Sequence, residues 1–308
     1  MLAECYRFRA FCLTVDDHAG RILAGLPVAE VHRRGRPRWV SLPFTDECPP
    51  LITPGADGEP TEWLDSLRRA FGVCRFEVRA ALRGERVQRG DTYLNHRLPL
   101  DRAEDDVFAA LHPNQVRRNI RRAQRAGVVV RVGSVEADLT EVFYRLHMRT
   151  RHRLGVPVQP LRYFRLLWRR FLEPGLGAVI IAELGGVPAA AGVFLAFGET
   201  CVYKYGASDE RHLGARPNHL LFWESIRWAM ARGCRTFDFG RTDLADTGLR
   251  EFKSRWGTVE REFNYSVLAD VPARAGMGAV PAPLRSAIRR GPIFVPRLLG
   301  ELLYRHTA

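Results

Sequence analysis

Residues 178–206 read AVIIAELGGVPAAAGVFLAFGETCVYKYG, and this stretch decides the fold. Three apolar runs are separated by two tight turns, at Gly185-Gly186 and Gly198-Glu199. Short runs rich in β-branched and aromatic residues, joined by glycine turns, are typical of β-hairpins. The stretch therefore predicts an antiparallel meander with strands at residues 179–184, 188–197 and 200–206.

The residues after the meander predict a helix, a strand and a second helix. Pro217 suits a first helical position and Gly233 suits the end of a helix, so the two bracket a helix of about four turns. Residues 234–239 are strand-like, with Asp238 near the strand end, and residues 249–255 form a short helical pattern.

The residues before the meander predict a small α/β unit followed by several helices. The unit has strand-like runs at 9–15, 21–23, 29–32, 38–42 and 75–81 and a helix at 62–71. Residues 101–106 predict the acidic start of a helix. Further helices are predicted from Pro113 to Gly127, at 139–151 and at 161–171, with a strand at 128–132.

The chain is basic, and its charge is concentrated in two places. Its 308 residues include 47 Lys and Arg against 34 Asp and Glu, a net charge of +13, and 46% are apolar, which excludes disorder and collagen-like repetition. Residues 112–126 contain five arginines and no acid, and residues 271–308 contain six arginines against one glutamate. Only two of the basic residues are lysines, Lys204 and Lys253.

The cysteines and the N-terminus suggest a reduced, cytoplasmic protein. The six cysteines form no C-x-x-C pair, so we expect neither a metal site nor a disulfide framework. There is no apolar run of signal-peptide length, and none of the ~18 residues that a membrane span needs.

The length predicts two domains and a tail. We place the domains at residues 1–132, ending in the basic helix, and 133–270, with the tail at 271–308. The tail contains two short amphipathic stretches, residues 283–290 and 295–303. These either lie on an anionic membrane surface, at the inner face of the membrane, or pack back onto the body.

Three segments carry a resemblance to a known family. They are DERHLGARPNHLLFWESIRWAMA at 209–231, FDFGR at 237–241 and EFKSRWG at 251–257. With SLPF at 41–44 and the arginine-rich helix at 111–127, they resemble the FemAB-like branch of the GNAT superfamily, the peptidoglycan interpeptide-bridge aminoacyltransferases and their relatives. The resemblance covers residues 10 to 268.

The resemblance implies an α+β fold of two tandem GNAT-like domains, each a mostly antiparallel sheet flanked by helices. The first domain would be degenerate and the second would hold the acyl donor. Members of the family transfer an activated acyl group to an amine, so the resemblance implies aminoacyl-tRNA or acyl-CoA as co-substrate and no tightly bound cofactor.

One departure from the general GNAT pattern bears on the donor. Acyl-CoA enzymes bind the pyrophosphate with R/Q-x-x-G-x-G/A at a helix start, where backbone N–H groups meet the anion. Here the stretch is RHLGARP at 211–217: Arg216 occupies the final small position and Pro217 lacks an N–H. This favours aminoacyl-tRNA over acyl-CoA.

Aminolysis of an activated ester needs a base that accepts the proton of the amine and a hydrogen-bond donor or positive charge that stabilises the developing oxyanion. The resemblance points to Lys253 as the group that stabilises the transition state or the donor; the alternative is a surface lysine at a helix start. Asp238 is the candidate base, the alternative being a carboxylate that caps a turn or holds Arg241.

Four further residues are candidates for binding the donor or the acceptor. Phe252 and Arg241 belong to the family motifs, and Lys204 lies in the third strand of the meander. Alternation along that strand places Lys204 opposite Cys201, Tyr203 and Tyr205. Asn218 contacts the donor or, as the alternative, caps the helix that begins at Pro217.

The arginine-rich helix is the candidate phosphate site. Arg117 with Arg121, and Arg118 with Arg122, lie one turn apart, so each pair is spaced to hold a phosphate. A nucleotide-sugar or lipid-linked diphosphate and a tRNA backbone fit equally well, and an ordinary solvated face is the alternative.

The leading hypothesis is therefore an acyltransferase that forms an amide on a small or cell-envelope-precursor acceptor. An acyl-CoA-dependent N-acetyltransferase of the same fold is an alternative. Two other hypotheses are a non-catalytic scaffold for polysaccharide or cell-envelope assembly and a general RNA-binding protein.

Overall fold

The computed structural model describes residues 1–33, 36–54, 60–272 and 280–304, and the chain divides into two compact units. The first unit comprises Leu2–Tyr93, Glu262–Ala279 and Leu302–Ala308. The second comprises Leu94–Arg261 and Val280–Glu301, together with Met1. The division differs from the boundary placed at residues 132 and 133, because the arginine-rich helix shares a core with the meander and so belongs to the second unit.

The strands of the described residues are β1 (Arg9–Asp16), β2 (Ile22–Arg33), β3 (Arg36–Val40), β4 (Leu51–Ile52), β5 (Arg75–Val78), β6 (Gln88–Pro99), β7 (Val128–Val132), β8 (Gly177–Leu184), β9 (Val187–Phe197), β10 (Thr200–Ser208), β11 (Thr236–Asp243) and β12 (Val259–Ala269).

The α-helices are α1 (Leu2–Tyr6), α2 (Pro60–Ala70), α3 (Glu104–Ala110), α4 (Arg118–Arg125), α5 (Tyr144–Leu154), α6 (Leu161–Leu167), α7 (Pro217–Ala231), α8 (Thr247–Ser254), α9 (Ala282–Arg290) and α10 (Val295–Leu303). Single π-helical turns precede α4 and α5 and follow α6, at Pro113–Arg117, Asp138–Phe143 and Trp168–Leu172, and a 3₁₀-helix, Glu210–Ala215, precedes α7.

The first unit packs α2 against a sheet. In this sheet β2 pairs antiparallel with β1 and β3, β3 pairs parallel with β5, and β5 pairs antiparallel with β12. Its core includes Trp39 and Phe76, whose rings meet edge to face. The two runs predicted at 21–23 and 29–32 are one strand, β2, because pairing with β1 continues through Gly25, Leu26 and Pro27.

The second unit contains the predicted meander. β8 pairs antiparallel with β7 and β9, and β9 pairs antiparallel with β10, so the prediction of three antiparallel strands is confirmed. Residues 178–182 of β8 are all buried, because helices cover the sheet: α7 contacts β8 and β9, and α5 contacts β10. The strand order in this unit is β6-β11-β10-β9-β8-β7.

Two strands differ from the predictions. β6 was not predicted, since its sequence, QRGDTYLNHRLP, is polar and lacks the alternation of a half-buried strand. β11 extends to Asp243 rather than ending at 239, so the DFGR motif lies inside the strand and not at its end.

The predicted fold class, an α+β fold with a mostly antiparallel sheet and flanking helices, is confirmed. None of the helices in the described ranges has the length and apolar character needed to cross a bilayer. In the same residues, no group of three or more His, Cys, Asp or Glu side chains is placed to hold a metal ion.

Candidate active site

The candidate site is a cavity of about 310 Å³ in the second unit, which we call the central cavity. β10 and β11 pair in parallel at only three positions, from Thr200 to Val202 opposite Thr236 to Asp238. Beyond this point residues of both strands line the cavity, which the start of α7 and one face of α8 complete. The lining residues are Thr150, Ala191, Tyr203, Gly206, Ala207, Ser208, Leu213, Arg216, Pro217, Asn218, His219, Leu221, Phe222, Phe239, Leu249, Phe252 and Lys253.

A β-bulge in β10 shapes the cavity wall. Tyr203 pairs with Phe194 and Tyr205 with Val193, so Lys204 is the extra residue. Tyr203 contacts Phe222 of α7, whereas Tyr205 contacts Phe164 and hydrogen bonds the hydroxyl of Tyr163, both from α6. The prediction that Tyr203 and Tyr205 share one face is therefore wrong, because the bulge reverses the alternation between them.

Lys204 does not line the central cavity. It is half-buried, and its ammonium lies 5.8 Å from the centre of the Tyr205 ring. Its predicted role in binding the donor or acceptor therefore finds no support in the cavity geometry.

Lys253 does line the cavity, and it is buried, with 3% of its surface exposed. It lies in the last turn of α8, a helix whose N-cap Asp246 accepts a hydrogen bond from the backbone of Leu249. The Nζ atom donates to the carbonyl oxygens of Gly240, at 2.7 Å, and Arg241, at 3.0 Å. The alternative of a surface lysine at a helix start is wrong, and the family motifs 237–241 and 251–257 meet at this ammonium.

Asp238 is buried in the sheet and does not line the cavity. Its carboxylate accepts hydrogen bonds from the Asn95 amide, from Nε of Arg97 at 3.1 Å and from the backbone N–H of Gly240 at 2.7 Å. The carboxylate therefore has structural partners, among them Arg97 of β6 as an ion-pair partner.

A buried histidine lies near Lys253. His96 of β6 is fully buried, and its Nε2 lies 3.1 Å from Oε2 of Glu260, which also pairs with Arg250. Burial, followed by the Lys253 ammonium, lowers the pKa of His96. His96 is therefore uncharged at neutral pH.

A second histidine, His219, lies on the cavity wall. Its ring stacks on Trp256, and its Nε2 is 3.3 Å from Nδ2 of Asn119. Burial lowers the pKa of His219 to about 4, and the Arg216 guanidinium adds to the effect. The contact with Asn119 links the cavity wall to the arginine-rich helix.

The start of α7 points into the cavity through Arg216, Pro217 and Asn218. Arg216 is the N-cap, with a left-handed backbone (φ 61°), and no side chain caps the helix. The prediction that Asn218 caps it is therefore wrong, and Asn218 lines the cavity instead. This helix start presents the positive end of the helix dipole and the Arg216 guanidinium.

The two remaining motif residues have different positions. Phe252 lines the cavity and packs against the rings of Phe222 and His219. Arg241 is half-buried and does not line the central cavity. Its backbone carbonyl oxygen accepts a hydrogen bond from Lys253.

The arginine-rich helix forms a second, open concavity of about 670 Å³, here called the arginine groove. Val116, Ile120 and Ala123 are buried in the core that this helix shares with α7. Arg117, Arg118, Arg121 and Arg125 line the groove with Pro113, Asn114 and Gln124, and Arg122 is exposed beside it. None of these five arginines forms an ion pair with another residue of the described ranges.

Three polar side chains that the fold brings to this region were not predicted from the sequence. Asn95 and His96 lie on β6, which was not predicted, and only pairing with neighbouring strands places them beside Asp238 and Lys253. His219 stands next to the candidate Asn218 and could have been found from that position in the motif.

Comparison with known proteins identifies a family match within the second unit. Residues 112–254 match the family "Acetyltransferase (GNAT) domain". This match includes the arginine groove, the meander, α7, the DFGR motif and Lys253.

The chain is similar to a lipid II:glycine glycyltransferase from Staphylococcus haemolyticus, with 33% identity over 83 residues. That alignment covers 25% of this chain, and the chain spans about a fifth of the length of that relative (20%).

Two solved structures share the fold over most of the chain. One is the crystal structure of FemX, with a TM-score of 0.61, 16% identity and coverage of 83% of this chain and 88% of that one. The other is a tandem GNAT protein from the clavulanic acid biosynthesis pathway, with a TM-score of 0.54, 13% identity and coverage of 87% and 85%. The resemblance to FemAB-like GNAT proteins is thus confirmed.

Proposed function

We propose, from the premise that this chain is a FemAB-like member of the GNAT superfamily, that it is an acyltransferase which forms an amide by transferring an aminoacyl or acyl group to an amine. The acceptor would be a small molecule or a cell-envelope precursor that carries phosphate.

The observation that carries the proposal is the buried ammonium of Lys253 in the wall of the central cavity. A charged amine with 3% exposure is costly unless a fold holds it in place, and here the carbonyls of Gly240 and Arg241 do so. A fixed positive charge beside a cavity is the feature that stabilises a developing oxyanion.

In the proposed reaction the neutral acceptor amine attacks the carbonyl carbon of the activated acyl group. The new C–N bond forms, and the negative charge on the former carbonyl oxygen is stabilised by Lys253. As the tetrahedral intermediate collapses, the C–O bond to the ribose of the tRNA breaks, and the proton from the amine neutralises the leaving oxygen directly or through water. No covalent enzyme intermediate is required.

Aminoacyl-tRNA is the donor that the start of α7 favours. Pro217 removes one backbone N–H, and Arg216 stands where the CoA pattern has a small residue, so the backbone cradle for a pyrophosphate is incomplete. Acyl-CoA is the alternative donor.

The arginine groove is the proposed site for a phosphate group of the acceptor or of the tRNA. Unpaired arginines one turn apart repel each other and gain most from an anion. The relative's name, lipid II:glycine glycyltransferase, suggests a lipid II-like acceptor as the first to test.

The experiment is to incubate the purified protein with radiolabelled glycyl-tRNA or acetyl-CoA, with and without lipid II or its nucleotide-linked precursor. We expect label to move to the acceptor amine from glycyl-tRNA, and Lys253→Met to abolish most of this transfer. Transfer only from acetyl-CoA would show that the donor is acyl-CoA. Nucleotide-sugar binding without transfer from either donor would favour a scaffold, and binding of tRNA regardless of its aminoacylation would favour an RNA-binding protein.

A further inference from the structure

Helix α10 and the residues directly before it combine a packed face with an exposed apolar face. The inner face is fixed to the second unit: Gly300 lies so close to Val158 that an added Cβ would be 1.7 Å from the Val158 carbonyl oxygen. The backbone N–H of Val158 donates to the Pro296 carbonyl, and Glu301 pairs with Arg162. The alternative in which the tail packs onto the body is therefore confirmed for this face.

The outer face exposes large apolar side chains in a row. Phe294, Leu298 and Leu302 follow one another at intervals of four residues, so they align along one side of α10 and the residue that precedes it. Their exposed fractions are 61%, 58% and 51%. Ile293, next to Phe294, is also exposed. We call these four residues the tail stripe.

Unpaired arginines flank the tail stripe. Arg285, Arg289, Arg290 and Arg297 are all exposed, and none of them forms an ion pair with another described residue. Glu301, the acid of α10, is engaged by Arg162. On α9 and α10, the helices that carry these residues, the arginine charge is therefore not compensated by ion pairs within the described residues.

We propose that the tail stripe and its flanking arginines dock the protein on an anionic lipid bilayer, with the stripe entering the interface and the arginines contacting lipid phosphates. Exposed Phe, Leu and Ile beside several arginines are what an interfacial amphipathic helix requires. A protein partner would have to supply a row of acids as well as an apolar groove, whereas an anionic bilayer offers both features everywhere on its surface. The inference does not depend on the proposed acyl transfer.

The test is flotation of the full chain with vesicles. We expect the protein to float with vesicles of phosphatidylcholine and phosphatidylglycerol. It should bind vesicles of phosphatidylcholine alone at least about 10-fold more weakly, since the arginines are attracted to an anionic surface and not to a neutral one. Phe294→Ser/Leu298→Ser/Leu302→Ser should lower binding to the anionic vesicles about 10-fold or more. Arg289→Gln/Arg290→Gln should lower it to a similar degree.

The matched control is Phe197→Ser, because Phe197 is 84% exposed at the end of β9, outside the tail. It should float like the wild type, and unchanged thermal unfolding of each variant would show that the substitutions leave the fold intact. Absence of flotation, or flotation that the triple variant retains in full, would overturn the proposal. So would a wild-type dimer that the triple variant converts to monomer without any binding to vesicles, because the stripe would then be an interface between two copies.

Discussion

Lys253 combines two properties that rarely coincide, a full charge and near-complete burial. The carbonyl groups of β11 that bind it lie at Gly240 and Arg241, directly after Asp238, which is itself held by β6. The position of the ammonium therefore depends on the backbone path of the DFGR motif.

The first prediction concerns the charge of Lys253. Lys253→Met keeps most of the side-chain volume but removes the ammonium, so we expect the transfer rate constant to fall by about 100- to 1,000-fold, as for loss of an oxyanion donor. The measurement is single-turnover transfer from the charged donor. Lys204→Met is the control, because Lys204 does not line the cavity, and it should keep a near-normal rate. A normal rate for Lys253→Met, in a folded protein, would assign this lysine a purely structural role.

The second prediction concerns Asp238. Asp238→Asn would place an amide opposite the amide of Asn95 and weaken the contact with Arg97, so we expect a loss of about 1–3 kcal/mol in the free energy of unfolding. Since this carboxylate does not line the cavity, the transfer rate of the folded variant should change little. The measurements are urea unfolding and transfer at saturating donor. Asp243→Asn, at the exposed end of the same strand, is the control. A rate loss as large as that of Lys253→Met would restore the general-base role.

At the scale of the element, the arginine-rich helix combines a packed side with a strongly charged one. Its buried side packs on α7, and its other side carries five arginines, none of which forms an ion pair with another described residue. Such a surface is unfavourable for folding alone, because the like charges repel. The repulsion between the arginines is relieved if an anion occupies the arginine groove during function.

The third prediction follows from the repulsion between these arginines. Arg118→Gln/Arg122→Gln should weaken binding of the phosphate-bearing substrate by about 10-fold and reduce the dependence of its affinity on salt, while leaving the melting temperature equal or higher. The measurement is titration calorimetry at two salt concentrations, with thermal unfolding in parallel. Arg235→Gln is the control, since Arg235 is also exposed but pairs with Glu199. Unchanged affinity and salt dependence would mean that the groove is only a solvated face.

At the scale of the whole molecule, three buried histidines couple stability to pH. Burial is the main cause of the lowered pKa in each case: the pKa of His147 falls to about 3, that of His219 to about 4, and that of His96 is also lowered. The folded chain therefore binds fewer protons than the unfolded chain below the ordinary histidine pKa of 6.5.

The fourth prediction is that the free energy of unfolding is constant just above pH 6.5 and falls as the pH drops from 6.5 towards 4. Throughout this range protonation favours the unfolded chain, because the histidines accept protons readily in the unfolded chain and not in the folded one. Urea unfolding at intervals across this range measures the slope. His219→Gln should reduce the slope. A stability that stays flat down to pH 4 would contradict the prediction.

The sequence by itself determined the meander, the helix that begins at Pro217 and the family motifs, because short-range patterns of apolar residues, glycine and proline specify these elements locally. It also singled out Lys253. Only the tertiary structure decided that Lys253 is buried on two carbonyls, that Asp238 is bound by Asn95 and Arg97, and that Lys204 lies outside the cavity. Strand pairing over long sequence separations places β6 beside β11, and a single-residue bulge turns Tyr203 and Tyr205 to opposite faces. Neither effect leaves a local pattern in the sequence.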